Sequence, residues 1–145
     1  MGMVEEVVAY LATQSCGTAG TTLFAHTLPE STGMCSAVIE LPASAPSRTF
    51  KQSLPWAENA RVQVLCRSTL PSSGATIAVP TNARARAQKI WRTLEAVSNS
   101  TSIASGKRYY RIEAQQSPFK LQDDERGRSV FSCTFDVMRA PTTSD

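Results

Sequence analysis

Two hydrophobic periods alternate along the chain. Val4, Val7, Val8 and Leu11 recur at i, i+3, i+4 and i+7, which predicts an amphipathic helix over residues 4–12. The polar, glycine-containing run from Gln14 to Thr22 ends it. Leu23-Phe24-Ala25 reads as a short apolar strand, stopped by Thr27-Leu28-Pro29-Glu30. From Met34 to Leu41 the period is two, with Cys35, Ala37, Ile39 and Leu41 on one face and Ser36, Val38 and Glu40 on the other. A loop rich in Pro, Ser and Ala runs on through Trp56, and its Phe50 and Trp56 are expected to cap the core. Ala60 to Ser68 is the next strand, with Val62, Val64 and Cys66 inward and Arg61, Gln63 and Arg67 outward. After the stretch 70–80 the helical period returns at Thr81, carried by Ala83, Ala87, Ile90, Leu94 and Val97 and widened by Trp91.

Two more alternating strands follow. In the first, Tyr110, Ile112 and Ala114 share one face, and Tyr109, Arg111, Glu113 and Gln115 the other. In the second, Phe131, Cys133, Phe135 and Val137 alternate with Ser132, Thr134 and Asp136. Successive strands of this kind predict an antiparallel pair. Their link, Ser117 to Arg128, is longer than a hairpin needs. Such an extension costs little closure entropy but calls for something that ties it down. The order of elements predicts the α+β class: a mostly antiparallel four- to five-stranded sheet with two helices packed on one face. It further predicts one domain over residues 1–145, with an ordered core of about 3–139 and a loose tail at 140–145. The outer sheet face is expected to be polar, with Arg61, Arg67, Tyr109 and Arg111 as a contact surface.

Composition narrows the function without naming it. At 41% hydrophobic and 19% charged the chain has the make-up of an ordinary globular protein. No apolar run approaches the ~20 residues of a membrane span. Glu5 and Glu6 stand where a secretory signal carries positive charge, and Glu6 also breaks the myristoylation pattern. Cys16, Cys35, Cys66 and Cys133 are far apart, and with a single His they predict buried free thiols and no metal site. No cofactor motif, nucleophile elbow or zinc-protease motif is present, and Asp123, Asp124 and Glu125 lie together in a turn rather than as an opposed acid–base pair. An enzyme is not expected. The net charge of +3 is small, though unevenly spread: residues 1–60 sum to −3 and residues 61–145 to +6. Arg84, Arg86, Lys89 and Arg92 form a basic helix face that suits phosphate contact, but without an aromatic platform beside it.

The strongest pointer is a resemblance. Tyr109-Tyr110-Arg111-Ile112-Glu113-Ala114-Gln115-Gln116-Ser117-Pro118-Phe119, then Asp124-Glu125-Arg126-Gly127-Arg128, then Phe131 to Val137, resembles the C-terminal part of a tailed-bacteriophage family known as tail terminator or minor capsid proteins. The short strand before Leu28-Pro29-Glu30 and the strand ending Val64-Leu65-Cys66-Arg67 are similar to that family too, whereas 70–80 looks like an insertion. The resemblance implies a ring, commonly of six copies, at the head-proximal end of the tail. Such a ring caps the tube, stops tube polymerisation and receives the head connector, and DNA passes through its lumen without specific binding. It also implies assembly in the host bacterial cytoplasm and a place at the head–tail junction of the virion, with no membrane partner. Pro118, Phe119, Asp123, Asp124, Glu125 and Arg126 are the expected inter-subunit or ring-to-ring contact. A head–tail stopper or connector protein and a small nucleic-acid-binding module are the alternatives.

Overall fold

A computed structural model describes residues 2–30, 33–41, 47–48, 55–69, 81–97, 103 and 109–140; for 47–48, 55–58 and 81–82 it describes the backbone alone. The expectations for Phe50, for the side chain of Trp56, for the 70–80 insertion and for the tail beyond Ala140 lie outside the described residues.

The elements are α1 (Met3–Thr13), β1 (Leu23–Ala25), β2 (Cys35–Leu41), β3 (Ser47–Arg48), β4 (Pro55–Arg67), α2 (Thr81–Glu95), β5 (Tyr109–Ala114), β6 (Phe119–Lys120) and β7 (Val130–Arg139). The sheet path runs β1-β2-β4-β7-β5, with the two-residue strands β3 on β4 and β6 on β7. Among the described strands only the β1–β2 pair is parallel. The architecture is therefore the expected α+β one, with a five-strand path widened by two short strands. The predicted pairing of the last two strands is present, with Ile112 opposite Val137 and Ala114 opposite Phe135.

One core explains why these residues form these elements. Val4, Val7 and Leu11 on α1 and Ala83, Ile90 and Leu94 on α2 are buried against Val38, Val62, Val64, Cys66, Cys133, Phe135 and Ile112. A helix stripe and the inward half of an alternating strand bury the same apolar atoms, which is where the folding free energy comes from. All four cysteines are buried free thiols, and burial pushes Cys66 and Cys133 up to about 12. The chain leaves α1 through Ser15 at φ 62 and Gly17 at φ 144, where a Cβ would meet Thr22 and Leu23 at 3.1 and 3.3 Å. Lys89 of α2 donates to Ser15 O at 2.8 Å, placing a cation at the carbonyl end of α1.

The structure corrects two of the expectations and decides which face of β2 is inward. Trp56 belongs to β4 rather than to a loop, since β4 begins at Pro55 and pairs with β3 there. In β2 the face turned to the helices carries Ser36 and Val38, which lie opposite Cys66 and Val64; Cys35 and Ala37 are buried on the other side. Most consequential, Tyr109 is inside. The β5–β7 register shifts between Tyr109 and Arg111, so Tyr110 is an extra residue and Tyr109 falls on the face of Arg139 rather than on the outer face. Tyr109 is 1% exposed, and its hydroxyl donates to Glu6 Oε1 at 2.7 Å. Arg139 Nη1 donates to the same oxygen at 2.9 Å.

This Glu6–Tyr109–Arg139 group ties α1 to the start of β5 and the end of β7. Burial first, and then the Glu6 carboxylate, push the Tyr109 phenol well above its ordinary value, so it stays a donor. Removing Arg139 takes the counterion from the buried Glu6 carboxylate, which costs far more than losing an exposed pair. Arg139→Met is expected to lower the unfolding free energy by about 3 kcal/mol. Arg61→Met, which breaks an exposed pair with Asp136, is expected to cost about 1 kcal/mol or less. Urea denaturation of both variants checks the contrast, and equal losses would refute it.

Candidate assembly surface

The Ser117–Arg128 link is built into the sheet. Phe119 and Lys120 pair with Ser132 and Phe131, so β6 continues along the β7 edge past the end of β5. Leu121 N–H reaches Val130 O at 2.8 Å and extends the pairing. Beyond it the chain turns on Asp124. The N–H of Gly127 donates to Asp124 O at 3.0 Å, and Gly127 takes φ 77, a left-handed conformation that glycine adopts at little cost. Asp124 Oδ1 accepts the N–H groups of Arg126 and Arg128 at 3.0 and 2.9 Å, and Oδ2 accepts Arg128 Nε at 2.6 Å. Its carboxyl is partly buried, which alone would raise its pKa. The Arg128 and Arg126 backbone bonds and the Arg128 guanidinium outweigh this and hold it below the ordinary 3.8.

The link's charges therefore pair largely within the chain. Arg126 Nη1 meets Glu30 Oε2 at 3.0 Å, and the buried Arg128 meets the other Glu30 oxygen at 3.5 Å. Lys120 Nζ lies 3.1 Å from Asp123 Oδ1, a charge contact without hydrogen-bond alignment. Of the residues expected to form contacts between subunits, Asp123, Asp124 and Arg126 thus already have partners in their own chain. Glu125 is exposed, and Phe119, at 43%, is the one large hydrophobic side chain exposed among the described residues. Pro118, half-buried, precedes it.

The outer sheet face is divided differently from the sequence expectation. Arg61 Nε donates to Asp136 Oδ1 at 2.9 Å, Gln115 also bonds Asp136, and Arg111 meets Glu113 at 2.6 Å. Arg61 and Arg111 do stand on this face, while Tyr109 is in the core. Arg67 is on the outer side of β4 but only 5% exposed, with Nη2 donating to Pro29 O at 2.6 Å. The face also carries the half-buried Ile39, Leu41, Leu65 and Val130, so it is mixed rather than polar. The sequence reading missed Glu30 and Arg128. Glu30 has no local signal, because its partners come from the far end of the chain. Arg128 does have one, since Asp124 with Gly127 three residues on marks a side-chain-capped turn.

The basic face of α2 is also largely engaged. Arg84 stacks over the Phe131 ring at 5.5 Å, and Arg86 joins Lys89 at Ser15 O. Among the described residues no group of three or more His, Cys, Asp or Glu side chains is placed to hold a metal ion. Among the described residues no helix is long and apolar enough to cross a membrane.

What the described residues present is an α+β sheet with helices on one side and a mixed polar and apolar face on the other. The chain belongs to the bacteriophage tail terminator protein family, which matches residues 10–138, from the last turn of α1 to the penultimate residue of β7. No curated protein sequence matches the chain. It is thus a structural protein of a phage tail.

The Asp124 turn gives the site its pH dependence. A carboxyl held below its ordinary pKa in the folded protein stabilises fully above that ordinary value, and the contribution is lost as pH falls through the folded pKa. Asp124→Asn is expected to cost about 1–2 kcal/mol at neutral pH, from the lost charge-assisted bonds. The gap to the parent chain should persist down to about pH 4 and close below it. Urea titrations at pH 7, 5 and 3 check this, and a gap that widens in acid would contradict it.

Proposed function

We propose that this chain is the subunit of a closed ring, of six copies, that caps the head-proximal end of the tail tube. It ends the addition of tube subunits there and offers its opposite surface to the head connector. The observation that carries the reading is the family match across residues 10–138. A ring arises when one patch of a subunit meets a different patch of the next and the rotation closes. Termination needs two unlike surfaces, one that accepts the last tube ring and one that no tube subunit fits. Genomic DNA crosses the lumen without being gripped. The engaged cations of α2 support this over a nucleic-acid-binding role. Assembly takes place in the bacterial cytoplasm, and the finished ring sits at the head–tail junction of the virion.

Phe119 is the contact residue in this reading. It projects from a strand fixed to β7, so an apolar anchor is presented without the cost of ordering a loose loop.

Mass measurement of the purified protein, alone and mixed with its tail-tube protein, tests the proposal. A closed ring, formed alone or only on preassembled tubes whose length it then fixes, is the expected result. A protein that ignores tubes but binds a portal or adaptor ring belongs to the connector instead. Phe119→Asp is expected to leave stability within about 0.5 kcal/mol, as for most exposed positions. It should reduce ring formation or tube capping at least tenfold, and unchanged assembly would remove the link from the interface.

A further inference from the structure

A pocket of about 560 Å³ lies between the Leu28–Glu30 loop, β4, β7 and the Asp124–Arg128 turn. Its apolar lining is Leu28, Leu65 and Val130, and Arg67 and the turn supply its charged lining. Arg126 and Arg128 face the carboxylates of Glu30 and Asp124. Arg67 is different. Its acceptors are Pro29 O at 2.6 Å and Cys35 Sγ at 3.2 Å, both neutral and both reached from Nη2. Among the described residues its buried Nε has no hydrogen-bond partner, and no carboxylate pairs with the guanidinium.

A guanidinium 5% exposed and held only by neutral acceptors carries a desolvation cost that a counterion would offset. Buried polar groups left without a partner are rare enough to require a reason, and an absent ligand is one such reason. We propose that this pocket receives a carboxylate side chain from a neighbouring protein subunit, its stem against Leu28, Leu65 and Val130 and its oxygens at the Arg67 guanidinium. The charges present select that occupant. Of the three guanidinium groups that line the pocket, those of Arg126 and Arg128 hold the carboxylates of Glu30 and Asp124, which leaves Arg67 without one, while Glu125 at the same opening engages none of them. A dianionic phosphate would meet repulsion from Glu30, Asp124 and Glu125 around the same opening. The volume exceeds that of a lone carboxylate and leaves room for an adjacent apolar side chain. The source of the carboxylate in an assembled tail rests on the function proposed above. The binding itself does not.

The test uses the full chain, labelled with ¹⁵N, and two probes: N-acetyl-Leu-Glu-amide and N-acetyl-Leu-Gln-amide. The Arg67 Nε–Hε resonance is followed during titration. A saturable shift with the Glu probe, and binding about tenfold or more weaker with the Gln probe, is expected for a charge-assisted contact. Arg67→Met should abolish the response. If that variant does not fold, Arg67→Lys should bind the Glu probe severalfold more weakly, because the planar guanidinium geometry is lost. Equal response to both probes, no shift at Arg67, or tighter binding of inorganic phosphate would overturn the proposal. So would a displaced Arg67 resonance in unliganded Glu125→Gln, which would mean that the chain fills the pocket with its own Glu125. A protein that binds the Glu probe but fails to cap tubes loses the proposed function and keeps the pocket. The converse loses the pocket alone.

Discussion

The pairing of β4 with β7 is the constraint on which the rest of the molecule depends. Its register runs unbroken from Glu58 opposite Arg139 to Arg67 opposite Val130. Slipping it by one residue would send Val62, Val64 and Cys66 to the outer face and bring Arg61, Gln63 and Arg67 under the helices. With Val62, Cys66 and Phe135 fully buried, that exchange would expose several large apolar side chains and bury charge. The polar side favours the same register, since Arg61 meets Asp136 and Gln63 meets Ser132 directly across the pair. Everything else is hung on these two strands. β2 reads its register from β4, while β5 and β6 share the far edge of β7.

That dependence explains which parts of the fold were legible in the sequence. Period-two patterns in β4 and β7 are legible because one face is apolar throughout and the other mostly polar. In β2 both faces carry small or apolar residues, so alternation reveals a strand but not its inward side, and only the opposite residues of β4 decide. The bulge at Tyr110 was hidden for a related reason. Two adjacent tyrosines satisfy the inward pattern equally well, and the choice falls to the Glu6 carboxylate across the core and Arg139 at the end of β7. Glu6 lies outside the Val4, Val7, Val8 and Leu11 stripe, yet it is buried. Its burial follows from partners more than 100 positions away, which no local pattern reports.

The contact surface shows the same division. The turn at Asp124 is local chemistry, a side-chain acceptor two to four residues before the N–H groups it takes up, and its residues announce it. The charged run around it was read as forming pairs, and it does, but with Glu30 and within itself. Glu30 is brought to the turn because the Leu28–Glu30 loop and the ends of β4 and β7 converge there, which is a property of the sheet order and not of any short segment. The exposure of Phe119 was open in the sequence, because an apolar residue beside a proline in a long link suits either a core plug or an anchor. Pairing of β6 with β7 holds Phe119 in a strand with its side chain exposed rather than folded onto the core.

A surface whose charges are mostly satisfied internally has a consequence for assembly. Exposed, unpaired charge gives long-range attraction but must be desolvated when two subunits meet, and much of the gain is then cancelled. Here Arg61, Arg111, Arg126 and Arg128 already hold carboxylates. In the proposed assembly a partner meets groups that are already paired, and discrimination falls chiefly to Phe119 on its strand and Arg67 in its pocket. One of these asks for apolar contact and the other for a negative charge at a fixed distance from it. A partner that offers only one leaves an exposed phenylalanine or an uncompensated guanidinium, so specificity comes from the penalty on a wrong fit as much as from attraction to the right one.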